Sequence, residues 1–244
     1  MSIFDKFLKK DNDVDDNLEF AQALFDCLKL SVGFGSEGSI QKKAKEFVKN
    51  AKDRHEVLDK IIDLCQGIEN PKAYRIIATA YAWKGAKYRS QAILYLEKYI
   101  ANPVKISEGF YGREGKLVDG FSSGIELANV YKELGKCYEG EYQFEKALEC
   151  YQKVIKLDPS VPPGYAKIAE IYRKMNKLDE AIKFLKDAKR LPYYKPRKIV
   201  SPIDGKVSYD NTFKIVIDSY LKDMEEKKTK GYVYKPRKNK EAIK

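Results

Sequence analysis

An all-α fold of stacked antiparallel helix pairs is predicted by three observations. Apolar residues recur at helical spacing through most of the 244 residues. The middle of the chain repeats itself at an interval of 34 residues. Proline, glycine and capping residues fall between the periodic stretches rather than inside them, as they do where helices start and stop.

The elements follow in chain order. Asn12 to Leu30, Ile40 to Asn50 and Arg54 to Gln66 each read as amphipathic helices; Ile40, Ala44, Phe47, Val48 and Ala51 mark the apolar face of the second. Asp53 precedes the third as an N-cap, with Glu56 in the capping-box position. Residues 1–69 are therefore expected to form an N-terminal helical cap. Asn70-Pro71 opens a degenerate repeat over 70–103, in which Tyr74, Ile77, Ala78 and Tyr81 mark one helix and Ala92 and Leu96 the next. Two stronger units follow at 128–161 and 162–195. Between them and the first lies an insertion at 102–123 with Gly109, Gly112, Gly115 and Gly120; a loop of that length is usually functional or without fixed structure. Asp204-Gly205 between short β-prone runs admits a small hairpin within 196–209. Phe213, Val216, Ile217, Tyr220, Leu221 and Met224 predict a capping helix that closes the 196–229 segment, and 230–244 is a basic tail.

Composition narrows the function classes. Charged residues make up 34% and apolar ones 43% of the chain, the balance of a folded, water-facing helical protein. No apolar run approaches 18 residues, so no membrane span is expected, and the N-terminal stretch lacks the features of a secretory signal. Cys27, Cys65, Cys137 and Cys150 form no C-x-x-C pair, and free thiols in a reducing cytoplasm are expected. The single histidine, His55, has no cysteine near it, so no metal site is expected. The net charge of +11 is uneven: Lys227 to Lys244 carry +7, which leaves +4 for the rest.

At a shift of 34 residues, Tyr131 aligns with Tyr165, Leu134 with Ile168, Gly135 with Ala169, Tyr138 with Tyr172, Ala147 with Ala181 and Val154 with Ala188. The first unit ends on Pro159 and the second on Pro192. Small residues at 135, 169, 147 and 181 allow helices to approach closely, and the prolines stop the second helix of each pair. This pattern resembles the tetratricopeptide repeat. The resemblance covers roughly Asn70 to Lys195 and implies a right-handed α-solenoid with non-consensus helical caps at both ends. It also implies a non-enzymatic scaffold whose concave groove, lined by the first helix of each pair, holds a peptide segment of another protein. By repeat position, Lys72, Arg75, Thr79, Asn129, Lys132, Lys136, Ala166, Glu170 and Arg173 are expected on that face. Several are basic, which favours an acidic peptide. Lys132 fits the carboxylate clamp of some family members, but Lys136 stands where an asparagine is usual, so no chaperone partner follows.

Other signals have plainer readings. Gly33 to Gly38 spells G-x-G-x-x-G, but the stretch before it is helical and no βαβ pattern follows, so a helix–helix loop capped by Ser36 or Ser39 is expected. Ile3, Phe4, Phe7 and Leu8 share a face that could touch a membrane surface, but the acidic run Asp11 to Asp16 opposes this. No catalytic constellation and no cofactor motif emerges. The sequence Tyr-Lys-Pro-Arg-Lys occurs twice, as Tyr194 to Lys198 and as Tyr234 to Lys238, each after a helix. Aromatics interleaved with cations can stack on bases and neutralise phosphates. The alternative reading is therefore a nucleic-acid-associated repeat protein that uses the tail with Tyr194, Lys195, Arg197, Lys198, Tyr234, Lys235, Arg237 and Lys238.

Overall fold

The turns between helices carry the repeat as clearly as the helices do. In the computed structural model, which describes residues 14–29, 38–103, 110–111, 117–118, 121–201 and 205–236, Tyr142 and Asn176 take φ of 58° and 60° and stand one repeat apart. Each lies just beyond a helix end, where a left-handed residue lets the chain turn back on the last carbonyls. Gln143 N–H donates to Tyr138 O at 2.9 Å and Lys177 N–H to Tyr172 O at 2.8 Å. The same turn occurs a third time at Gly231, φ 63°, where Tyr232 N–H reaches Lys227 O at 2.9 Å.

The chain divides into two units, residues 1–106 and 107–244. The first holds α1 (Val14–Lys29), α2 (Ser39–Asn50), α3 (Arg54–Cys65), α4 (Pro71–Lys84) and α5 (Arg89–Ala101). Helix α3 starts in a variant of the capping box: Asp53 accepts from Glu56 N–H at 2.9 Å, and Glu56 reaches past the cap to accept from Lys52 N–H at 2.8 Å. Asn70 caps α4 by accepting from Lys72 N–H at 2.8 Å, with Pro71 in the first turn. Helix α2 has Gly38 as its N-cap, without a side-chain bond, and Ser39 is its first helical residue rather than its cap. The expected cap Ser36, the rest of the glycine-rich stretch before it and the N-terminal apolar face lie outside the described residues. Between α4 and α5 the chain turns at Gly85, φ 108°, and makes one 3₁₀ turn, Ala86–Tyr88. This is where the degenerate repeat carries its extra residues. The core of this unit gathers Leu24, Leu58, Ile61 and Ile77, all but wholly buried. Burial holds the Cys65 thiol up at about 12, so it is an inert core residue.

The second unit opens with a short antiparallel pairing of β1 (Phe110–Tyr111) with β2 (Leu117–Val118), inside the glycine-rich insertion. There follow α6 (Phe121–Gly140), α7 (Phe144–Leu157), α8 (Pro162–Lys174) and α9 (Leu178–Ala188). A hairpin of β3 (Arg197–Val200) and β4 (Val207–Asp210) precedes α10 (Thr212–Thr229). Each of α6 to α10 packs on the next, and α8 also packs on α10. The helices approach closely where side chains are small. A methyl group on Gly164 would come within 2.6 Å of Ile155 Cγ2. The core between α8, α9 and α10 is built from Tyr165, Ala169, Leu185, Phe213, Ile217 and Met224. Helix α10 thus buries its apolar stripe as the first helix of a further pair would, and ends in the same turn. Residues 232–236, without regular secondary structure, follow where a second helix would begin.

Candidate partner-binding face

The first helices of the pairs in the second unit are α6 and α8, with α10 in the corresponding place. Apolar residues fix which way each faces. On α6, Val130, Leu134, Cys137 and Tyr138 are buried, so Asn129, Lys132 and Lys136 lie toward the water-facing sides. Lys132 Nζ donates to Asn129 Oδ1 at 2.8 Å and Lys136 Nζ to Glu133 Oε1 at 3.0 Å, both one helical turn apart. The Lys136 pair is exposed and worth under about 1 kcal/mol; the Lys132 contact is half-buried and made to a neutral amide, so a partner's carboxylate can take over either lysine. On α8, Glu170 accepts from Lys167 Nζ at 2.7 Å. Glu170 and Arg173 line a cleft with Tyr220, Asp223 and Lys227 of α10. Ala166, also expected on this face, is buried instead.

In the first unit, Lys72 is exposed and Arg75 half-buried on α4. Thr79 turns its hydroxyl back on its own helix, donating to Arg75 O at 2.8 Å. A partner would meet its methyl group or its remaining acceptor rather than a free donor.

The largest feature that the sequence did not disclose is a half-buried polar cluster joining α6, α7 and α8. Glu139, whose side chain is 12% exposed, accepts from Tyr151 Oη at 3.0 Å, pairs with Lys174 and lies 3.7 Å from Lys167 Nζ. Burial by itself would push the Glu139 carboxyl up; Lys174, Lys167 and the Tyr151 hydroxyl outweigh this and leave it below its ordinary value. The Tyr151 hydroxyl is pushed upward, chiefly by burial and then by Glu139, so it stays a donor at any working pH.

Both copies of the repeated basic phrase have their tyrosines seated on protein. Tyr194 Oη donates to Asp218 Oδ1 at 2.8 Å, and its ring carries Lys189 and Lys214 at 5.3 and 5.0 Å from the centroid. Arg197 pairs across the hairpin with Asp210 at 3.2 Å. Lys195 and Lys198 are exposed. In the second copy, the Tyr234 ring lies 5.8 Å from the Arg173 guanidinium and 6.1 Å edge-on from Phe144; Lys235 is exposed, while Arg237 and Lys238 lie outside the described residues. A base approaching either tyrosine would meet a ring that already carries a cation. Burial would raise the Asp218 carboxyl, but Lys214, Tyr194 and Lys189 hold it at about 2. Tyr194→Phe is expected to lower the stability of the second unit by about 1 kcal/mol, the worth of one hydrogen bond to a charged acceptor at a partly exposed site. Urea denaturation checks this; no change would make Tyr194 an ornament of the helix exit rather than its anchor.

Among the described residues no group of three His, Cys, Asp or Glu stands close enough to hold a metal ion, and no described helix is long and apolar enough to cross a membrane. Tetratricopeptide repeat family models match residues 128–161 and 162–192. A stretch of 69 residues is 35% identical to a kinesin light chain-related protein of Arabidopsis thaliana. It spans 28% of this chain and 10% of that relative's length. Among solved structures, MamA aligns at 15% identity and a TM-score of 0.44 over 81% of this chain and 98% of its own. YrrB, described as a tetratricopeptide-repeat protein with an unusual peptide-binding site, aligns at 16% identity and a TM-score of 0.44 over 77% and 74% of the two chains.

Proposed function

We propose that this chain, a tetratricopeptide-repeat protein by residues 128–192, is a non-enzymatic scaffold that holds a peptide segment of another protein. Repeats of this kind serve protein–protein contact by stacking helix pairs so that their first helices share a face. The observation that carries the reading is the row of polar side chains on that face of α6 and α8. Asn129, Lys132 and Lys136 stand beyond the buried stripe of α6, and Glu170 and Arg173 open onto the cleft with α10. The peptide is acidic in this reading, because Lys132 and Lys136 are held only by weak pairs one turn away and present their ammonium groups to an incoming carboxylate. Within the first unit by itself, Lys72 and Arg75 of α4 carry the same sign of charge.

The test is a double charge reversal. Lys132→Glu with Lys136→Glu is expected to weaken capture of the natural partner tenfold or more, with the helical circular-dichroism signal and the melting temperature little changed. Capture is read by pull-down from native extract and then by titration of the identified segment. Undiminished capture by the double variant removes these lysines from the site.

A further inference from the structure

The residues after α10 lie back along the row of helix turns. Gly231 forms the third turn, and Tyr232, Val233 and Tyr234 follow without regular secondary structure. Burial alternates along them: Tyr232 and Tyr234 are half-buried, while Val233 is 60% exposed. The Tyr232 hydroxyl accepts from Arg173 Nη1 at 2.8 Å, and its ring lies 5.6 Å from that guanidinium. Tyr234 stands over the same guanidinium and against Phe144, at the start of α7. Its main-chain N–H donates to Asn176 Oδ1 at 2.6 Å, from the left-handed residue of the second turn. The segment thus crosses from the third turn over the second to the first, and covers Arg173, which also lines the cleft between α8 and α10.

We propose that Phe144, Arg173 and Asn176 form a docking site for a segment with tyrosine at alternate positions, filled in cis by Tyr232–Tyr234 and thereby closed to a partner carrying the same pattern. Three features make it a recognition site rather than a frayed end. One guanidinium is shared between two rings and a hydroxyl, so it reads both aromatic positions. A side-chain carbonyl reads the main chain, which holds the register. The position between the two tyrosines points to water and carries no requirement. The seat is also built to be left. It relies on rings half in water and a few polar contacts, and its hold comes from the high local concentration of a tethered segment. Partner entry requires that segment to lift, and lifting frees Arg173 for the groove. The contacts of the seat come from α7, α8 and the turn after α8, while Lys132 and Lys136 are on α6, so the two assignments are independent.

The test uses the full chain with Tyr232→Ala and Tyr234→Ala, which empties the seat, and a synthetic hexapeptide with the sequence of residues 231–236. NMR titration is expected to show saturable binding to this variant, at least tenfold tighter than to the wild-type chain. Arg173→Ala added to the opened variant should weaken that binding tenfold, and a hexapeptide with both tyrosines replaced by alanine should not bind. Equal binding by the opened and wild-type chains, or indifference to Arg173→Ala, overturns the proposal. A second measurement needs no emptied seat. Asn176→Gly keeps the left-handed turn and removes only the acceptor; it should speed amide exchange at Tyr234 at least tenfold, and an unchanged rate overturns the proposal. The Lys132→Glu, Lys136→Glu changes, placed in the opened variant, should leave hexapeptide binding intact, so either reading can fail without the other.

Discussion

Glu139→Ala is expected to lower the stability of the second unit by about 3 kcal/mol, more than any change on the partner-binding face. The carboxylate is the common acceptor for α7 through Tyr151 and for α8 through Lys174 and Lys167. Removing it strands a tyrosine hydroxyl whose residue is 1% exposed, together with an ammonium group whose side chain is 19% exposed. Taking one member from a fully buried charged set costs about 3–5 kcal/mol, and this set is only partly buried. Lys167 is 36% exposed and finds water, which sets the expectation at the low end of that range. Glu139→Gln keeps an acceptor for Tyr151 and loses the charge, so its loss is smaller, about 1–2 kcal/mol. The pH dependence separates the two contributions. The folded carboxyl lies below its ordinary value of 4.5, so the folded state favours the ionised form. The stabilisation is fully present above pH 4.5 and is lost as the pH falls through the lower, folded value. Urea denaturation at neutral pH should therefore show the gap between wild type and Glu139→Gln, and the gap should narrow in acid. A gap of constant size would assign the loss to packing instead of charge.

What could be read from residue order is whatever depends on neighbours in the chain. The capping box of Asp53 and Glu56 needs only a three-residue spacing, and the turn at Asn70-Pro71 needs only two adjacent residues. The stripe Phe213, Ile217, Leu221 and Met224 is periodic, and all four are buried on α10. The turns at Tyr142 and Asn176 are a middle case. Neither is glycine, so no local chemistry announces a left-handed residue at 142; the repeat announces it, because the position recurs after 34 residues. The Glu139 cluster was illegible for a different reason. Among 47 lysines and arginines, nothing in spacing distinguishes Lys174, which reaches across to the preceding repeat, from its solvated neighbours. The seat of Tyr232 and Tyr234 joins residues nearly sixty positions apart. The repeated Tyr-Lys-Pro-Arg-Lys phrase points to Tyr234 but not to Tyr232, and reads it as a helix exit or a nucleic-acid contact. The partners of the two tyrosines, Phe144 on α7, Arg173 on α8 and Asn176 in the turn after it, are brought to them only by packing. Ala166 shows the converse limit: repeat position placed it on an open face, but the packing of α8 buries it.

Gly135→Val is expected to cost about 3 kcal/mol, and the reason is the same tyrosine. Gly135 faces α7 at Cys150 and Tyr151. A Cβ there would stand 3.0 Å from the Tyr151 ring and 3.3 Å from Cys150 Cβ, tighter than ordinary van der Waals contact. Alanine is a balanced case, because leaving glycine inside a helix gains about 1 kcal/mol of propensity and the ring needs to yield only a few tenths of an ångström. Valine adds two further methyl groups toward a ring that cannot retreat, since its hydroxyl is held by Glu139 at 3.0 Å and its surroundings are closed. Overpacking a filled interior costs about 1–3 kcal/mol, and the pinned ring places this site at the upper end. The two changes should therefore couple. In Glu139→Ala the ring is released at its hydroxyl end and can tilt, so Gly135→Val should lose less in that background than in the wild type, by about 1 kcal/mol. A double-mutant cycle by urea denaturation measures the difference. Strict additivity would mean that the clash is relieved by sliding α6 along α7, and that the Tyr151 ring is not the rigid element between them.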